Sequence, residues 1–98
     1  MKLRFHPAVQ SDINEVPDCY AERSETVADR FWKEFHDRLA SIEQDPGRSG
    51  FLDLGRGLRR ARLRDFPHLI IFYQFDNTVK VTCVKHEKRH PLRGLRRR

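Results

Sequence analysis

The spacing of apolar residues changes once along this 98-residue chain, and that change narrows the fold more than any other feature. Val9, Ile13, Val16 and Tyr20, then Val27, Phe31, Phe35, Leu39 and Ile42, recur every three or four positions, with Ala28 and Trp32 widening the second stripe. That period places them on one side of a helix. From Leu58 onward the period is two. Ala61 and Leu63 fall on one face of a strand and Arg60, Arg62 and Arg64 on the other. Val79, Val81 and Cys83 alternate in the same way with Lys80, Thr82, Val84 and His86. Between them Leu69 to Phe75 is almost uninterruptedly apolar, the pattern of a central strand covered on both sides. A short strand at the start, with Leu3 and Phe5 facing inward, completes the set.

Punctuation residues divide these segments. Pro7 suits a first helical turn, where its missing N–H leaves no bond unmade. Pro17 is expected to kink the first helix or end it near Val16. Ser24 is the expected N-cap of the second helix, with Glu25 favoured by the dipole in its first turn. Asp45-Pro46-Gly47 stops that helix. Residues 45–57 carry four glycines without a period and read as a loop, held to the core by Phe51, Leu52 and Leu54. They lack the Gly-Lys-Ser/Thr of a phosphate-binding loop. Asp76-Asn77-Thr78 is a turn. The predicted order is therefore β-α-α-β-β-β: an α+β domain with an N-terminal helical hairpin packed on a small, antiparallel-rich four-stranded sheet. A single domain spans residues 1–98, with a basic flexible tail from about 92 to 98.

No apolar stretch approaches the roughly 20 residues that cross a bilayer, and the N-terminus has no apolar signal core. A cytoplasmic protein with no membrane partner is expected. Cys19 and Cys83 lie 64 positions apart and form no metal or redox motif; free thiols in a reducing compartment are expected, with one long-range disulfide as the alternative.

Charge is divided as sharply as periodicity. Residues 1–55 hold seven Lys/Arg against eleven Asp/Glu, a net −4, whereas residues 56–98 hold thirteen against three, a net +10. Such segregation points to a polyanionic or acidic partner. The Arg60, Arg62 and Arg64 row, spaced roughly 7 Å between neighbours on a strand, can track phosphates or bind acidic side chains. Lys85 and Lys88 would extend it. The guanidiniums at 60 and 62 and the imidazole at 86 are expected to gather on one concave cationic surface.

His86-Glu87-Lys88-Arg89-His90 spells the zinc-protease HExxH pattern. That motif needs a helix to bring both imidazoles to one metal, whereas this segment leaves a strand and meets Pro91. No metal and no cofactor are predicted. His86, His90 and Arg89 instead have the chemistry to cleave RNA, with histidine moving protons and arginine stabilising the phosphorane.

Phe5-His6-Pro7-Ala8, the helix stop at 45–47, Leu58-Arg59-Arg60, the run from Phe66-Pro67-His68 to Tyr73, and Val84-Lys85-His86 through Pro91 occur in an order and spacing that resemble the RelE/ParE superfamily of bacterial toxins. The resemblance covers nearly the whole chain. It implies a toxin of a type II toxin–antitoxin system, of the plasmid-stabilisation type, neutralised by a cognate antitoxin with an acidic or amphipathic segment. It also implies a target. RelE-like members cleave mRNA on the ribosome, whereas ParE-like members bind DNA gyrase. RelE-type ribonucleases usually carry an Arg at the start of the third strand, where this chain has Leu69-Ile70-Ile71, and often a C-terminal Tyr, whereas none follows Tyr73. The ParE-like reading, growth inhibition by binding gyrase, is therefore favoured. A ribosome-dependent endoribonuclease and a harmless nucleic-acid-binding adaptor are the alternatives.

Overall fold

A computed structural model describes residues 2–21, 25–88 and 94–97, with residues 16–21 as backbone. The elements run β1 (Lys2–Phe5), α1 (Val9–Ala21), α2 (Glu25–Gln44), β2 (Phe51–Asp53), β3 (Leu58–Arg62), β4 (His68–Phe75) and β5 (Thr78–His86). The five strands form one sheet in the order β1-β5-β4-β3-β2, with β1 parallel to β5 and the other pairs antiparallel. The class is the α+β expected; the sheet has one strand more.

The stripe of α2 packs on the sheet as its spacing requires. Phe31, Phe35, Leu39 and Ile42 are buried, and with Val9 they meet Ala61, Leu63, Ile70, Phe72, Val79, Val81 and Val84. Phe31 is the centre, with Trp32, Phe66 and His68 edge-on at 5.0–5.4 Å. Phe31 and Phe66, both buried, each contribute about 1.5–3 kcal/mol by leaving water. Asp76 and Asn77, at φ +42° and +59°, close β4 onto β5. Two left-handed residues match the twist of a two-residue hairpin, and Asp and Asn tolerate them best.

The opposite, open face of the sheet carries no helix, yet Leu58, Ile71 and Cys83 there are fully buried. The C-terminal turn Gly94–Arg97 covers Cys83. A Cβ on Gly94 would stand 2.5 Å from the Cys83 Cβ, and its φ is +78°, so both contact and backbone demand glycine. The Arg56 guanidinium donates to the Leu95 carbonyl (2.7 Å). Arg97 donates to both Asp12 carboxylate oxygens (2.6 and 3.3 Å) and to the Thr82 carbonyl (3.1 Å).

Several expectations are corrected. The segment read as a loop contributes β2, whose three residues are too few to show a period and are ordered by pairing with β3. The first helix continues past Pro17 to Ala21; the proline removes one backbone donor without ending the helix. Phe5, Phe51 and Leu54 are exposed, and of the loop's apolar residues Leu52 packs inward. The described part of the tail, read as a flexible arm, is packed down through Gly94 and Arg97. Ser24 lies outside the described residues.

Candidate target-binding face

Register decides which charged side chains meet. Arg60 pairs across the sheet with Ile71, and Arg62 with Leu69, which pairs in turn with Lys85. Paired residues point to the same side, here the open face. Arg60, Arg62, Leu69, Glu87 and Lys88 line a cleft of about 580 Å³ at one end of that face. The site therefore gathers three cations and one carboxylate around an apolar floor.

The cations differ in availability. Arg62 is engaged internally: its Nε donates to Glu87 Oε2 (3.2 Å), and another guanidinium nitrogen donates to the Leu63 and Arg64 carbonyls. The pair with Glu87 is half-exposed and contributes about 0–1 kcal/mol. The backbone of the same segment is held separately, by the bond from the Glu87 N–H to the Pro67 carbonyl (2.8 Å). Arg60 and Lys88 form no ion pair among the described residues and line the cleft with their charge available.

Two members of the expected row are elsewhere. Arg64 lies beyond the end of β3, with its side chain 88% exposed, and is not among the residues that line the cleft. Lys85 is on the correct face but only 6% exposed, which removes it from any contact surface.

His86 is on the opposite face of the sheet from Arg60 and Arg62. A bulge in β5 is responsible: Ile71 pairs with Cys83 and the next residue, Phe72, with Val81, leaving Thr82 as the extra residue. Uniform alternation would put residue 86 on the same side as Lys80. One inserted residue inverts the parity of everything that follows, so Cys83 and Lys85 turn to the open face and Val84 and His86 to the helical face. The His86 ring stands edge-on to buried His68 at 5.4 Å, and His68 meets Phe31. His86 Nδ1 accepts the Lys88 backbone N–H (3.1 Å). The expected single concave surface is thus corrected to Arg60, Arg62 and Lys88 without the imidazole. Arg89 and His90 lie outside the described residues.

The bulge is itself built. Thr82 Oγ1 donates to the Ile71 carbonyl (3.3 Å). β1 pairs with β5 only as far as Val81, and past that point Asp12 of α1 takes its place at the strand edge. Its carboxylate accepts the Val84 N–H (3.1 Å), while Arg97 satisfies the Thr82 carbonyl. Asp12, Gly94 and Arg97 were missed from sequence. The available signal was an acid one position before Ile13 on an otherwise apolar stripe, which needs a cation once buried.

Cys83 completes the chemistry of the face. Burial, then the neighbouring Asp12 carboxylate, push its thiol up to about 12. A thiol so held stays protonated and unreactive. Among the described residues no three His, Cys, Asp or Glu side chains come together to hold a metal ion, and no helix is long and apolar enough to cross a membrane.

Comparison with known proteins places this geometry. The family profile described as "ParE toxin of type II toxin-antitoxin system, parDE" matches residues 3–91. Toxin ParE2 of Mycobacterium tuberculosis, from strains CDC 1551 / Oshkosh and ATCC 25618 / H37Rv, is 28% identical over 91 residues, 92% of this chain and 85% of the relative. A chain from the chromosomal ParDE TA system of P. aeruginosa superposes with a TM-score of 0.75 at 15% identity, covering 88% of this chain and 95% of that one.

Proposed function

From the premise that this chain belongs to the ParE toxin family of type II toxin–antitoxin systems, we propose that it inhibits growth by binding DNA gyrase and is held inactive by a cognate antitoxin. The observation that carries this reading is the parity inversion in β5. The cationic cleft keeps Arg60 and Lys88 while His86 turns to the other face. Among the described residues the cleft holds no imidazole, and its one carboxylate, Glu87, is tied to Arg62. Such a surface suits binding to an acidic protein or a protein–DNA complex better than phosphodiester cleavage, which needs a free base within about 3 Å of the 2′-hydroxyl. The antitoxin segment is acidic, matching the +10 half of the chain, and the complex is cytoplasmic.

The test is expression of the lone chain in a bacterium, followed by assay of the purified protein on gyrase. Supercoiling should be inhibited and cleaved DNA should accumulate. The Arg60→Glu/Lys88→Glu variant should lose both effects by at least tenfold, while His86→Ala keeps them. Unimpaired growth, or mRNA cleavage with gyrase untouched, refutes the reading. Co-purification from the native operon should yield a complex with a small acidic protein rather than the lone toxin.

A further inference from the structure

The open face carries a second cationic field at its other end. Tyr73 and Phe75 point there, two and four residues beyond Ile71 on β4, and their rings stack with centroids 5.5 Å apart at 26°. Phe75 is the end member and is 44% exposed, so its outer ring face is open to solvent. Register brings cations beside them. Lys80 pairs with Tyr73, and Arg4 of β1 pairs with Lys80; Lys2 pairs with Thr78, which faces Phe75. The three cations therefore share a sheet face with two stacked rings, across three strands about 4.8 Å apart. Lys2 and Arg4 are exposed and Lys80 half-buried. The nearest acid in sequence, Asp76, lies in the hairpin turn beyond the sheet.

This field is separate from the cleft. Leu69 in the cleft and Phe75 are six residues apart on one strand, roughly 20 Å, and the turn of Gly94 crosses Cys83 between them. Tyr73 also packs against Leu58, Ile71 and Cys83, so the ring that folding leaves unexplained is that of Phe75. Phe75 is not part of either buried cluster, and an exposed Phe at a hairpin end gains little from burial. Stacked aromatics flanked by basic side chains are what a single-stranded nucleic acid recognises: a base extends the ring stack while the cations take its flanking phosphates. An acidic protein segment would use the cations but has no need of a ring face. Duplex DNA would also use the cations, yet its bases are already stacked and cannot reach the rings.

We propose that Tyr73, Phe75, Lys80, Arg4 and Lys2 form a binding site for single-stranded nucleic acid, one base stacking on Phe75 and adjacent phosphates lying over β5 and β1. The site is distinct from the gyrase-directed cleft and stands or falls independently of it.

The experiment titrates the purified full chain against fluorescein-labelled dT12 and rU12, a 12-base-pair duplex and a labelled poly-glutamate peptide, followed by anisotropy at several salt concentrations. Single strands should bind at least tenfold tighter than the duplex or the peptide. Phe75→Ala, at an exposed position, should weaken single-strand binding about tenfold, and Tyr73→Leu should do so with the sheet preserved by circular dichroism. Arg4→Gln and Lys80→Gln should each lower the salt slope by about 0.7, the value for one phosphate contact on a single strand. Arg60→Gln should leave it within about twofold. The proposal is overturned if the duplex or the peptide binds as well as the single strands, if Phe75→Ala binds unchanged, or if Arg60→Gln weakens binding as much as the ring substitutions do.

Discussion

Replacing Arg97 by Ala tests whether the C-terminal turn belongs to the fold. Its guanidinium makes two bonds to Asp12, which is 3% exposed, and one to the Thr82 carbonyl at the bulge. Without it the carboxylate keeps the Val84 N–H and loses the Arg97 guanidinium, while the Thr82 carbonyl loses a donor. Breaking a buried ion pair by removing one partner costs about 3–5 kcal/mol, against a total stability of about 5–15 kcal/mol for a domain of this kind. The expected result is a loss of at least about 3 kcal/mol in urea unfolding followed by circular dichroism and Trp32 fluorescence. In a thermal melt that is a fall of more than about 12 °C. Converting the buried carboxylate to an amide should recover part of the loss, so Asp12→Asn/Arg97→Ala should be more stable than Arg97→Ala alone, a coupling read from a double-mutant cycle. A loss below about 1 kcal/mol in the single variant, the range of an exposed ion pair, would show that the tail is a solvated arm and refute the reasoning.

The other predictions concern the same face. Gly94→Ala drives a methyl into Cys83 at a left-handed backbone position and should cost about 1–3 kcal/mol in the same urea titration; an unchanged midpoint would mean that the turn is not seated on Cys83. Because the Cys83 thiol is raised from 9.0 to about 12 in the fold, its contribution is fully present below pH 9. That contribution is lost as pH rises toward 12, at up to about 1.4 kcal/mol per unit. In a Cys19→Ser background, Cys83→Ala should remove that part of the alkaline slope; identical slopes would contradict the buried, protonated thiol. Arg62→Ala should cost less than about 1 kcal/mol, since its pair with Glu87 is half-exposed, and a larger loss on unfolding would show that the strand ends depend on it.

Much of the fold was legible because periodicity is a local property. The stripe from Val27 to Ile42 became the buried side of α2, and the opposed parity of Ala61/Leu63 and Arg60/Arg62 held within β3. The apolar run from Leu69 became the third strand of five, next to the sheet's most buried partner. The Asp76-Asn77 turn also follows from residue type alone. Family-level resemblance rested on the same local pieces, in order.

The candidate site was legible only in part, because it depends on how one strand is phased against another. A sequence shows which residues of β5 alternate; it does not show that Thr82 is skipped in pairing, and that one skipped residue moved His86 away from Arg60. Phe51–Asp53 became a strand because β3 offered an edge. An arginine read as solvated closed over a carboxylate 85 positions away. The local period of apolar and charged residues thus determined the helices, the strands and the face of each residue within its own uninterrupted segment. Tertiary pairing decided register, edges and the partners of buried charge, since those energies exist only between segments that the chain has already brought together.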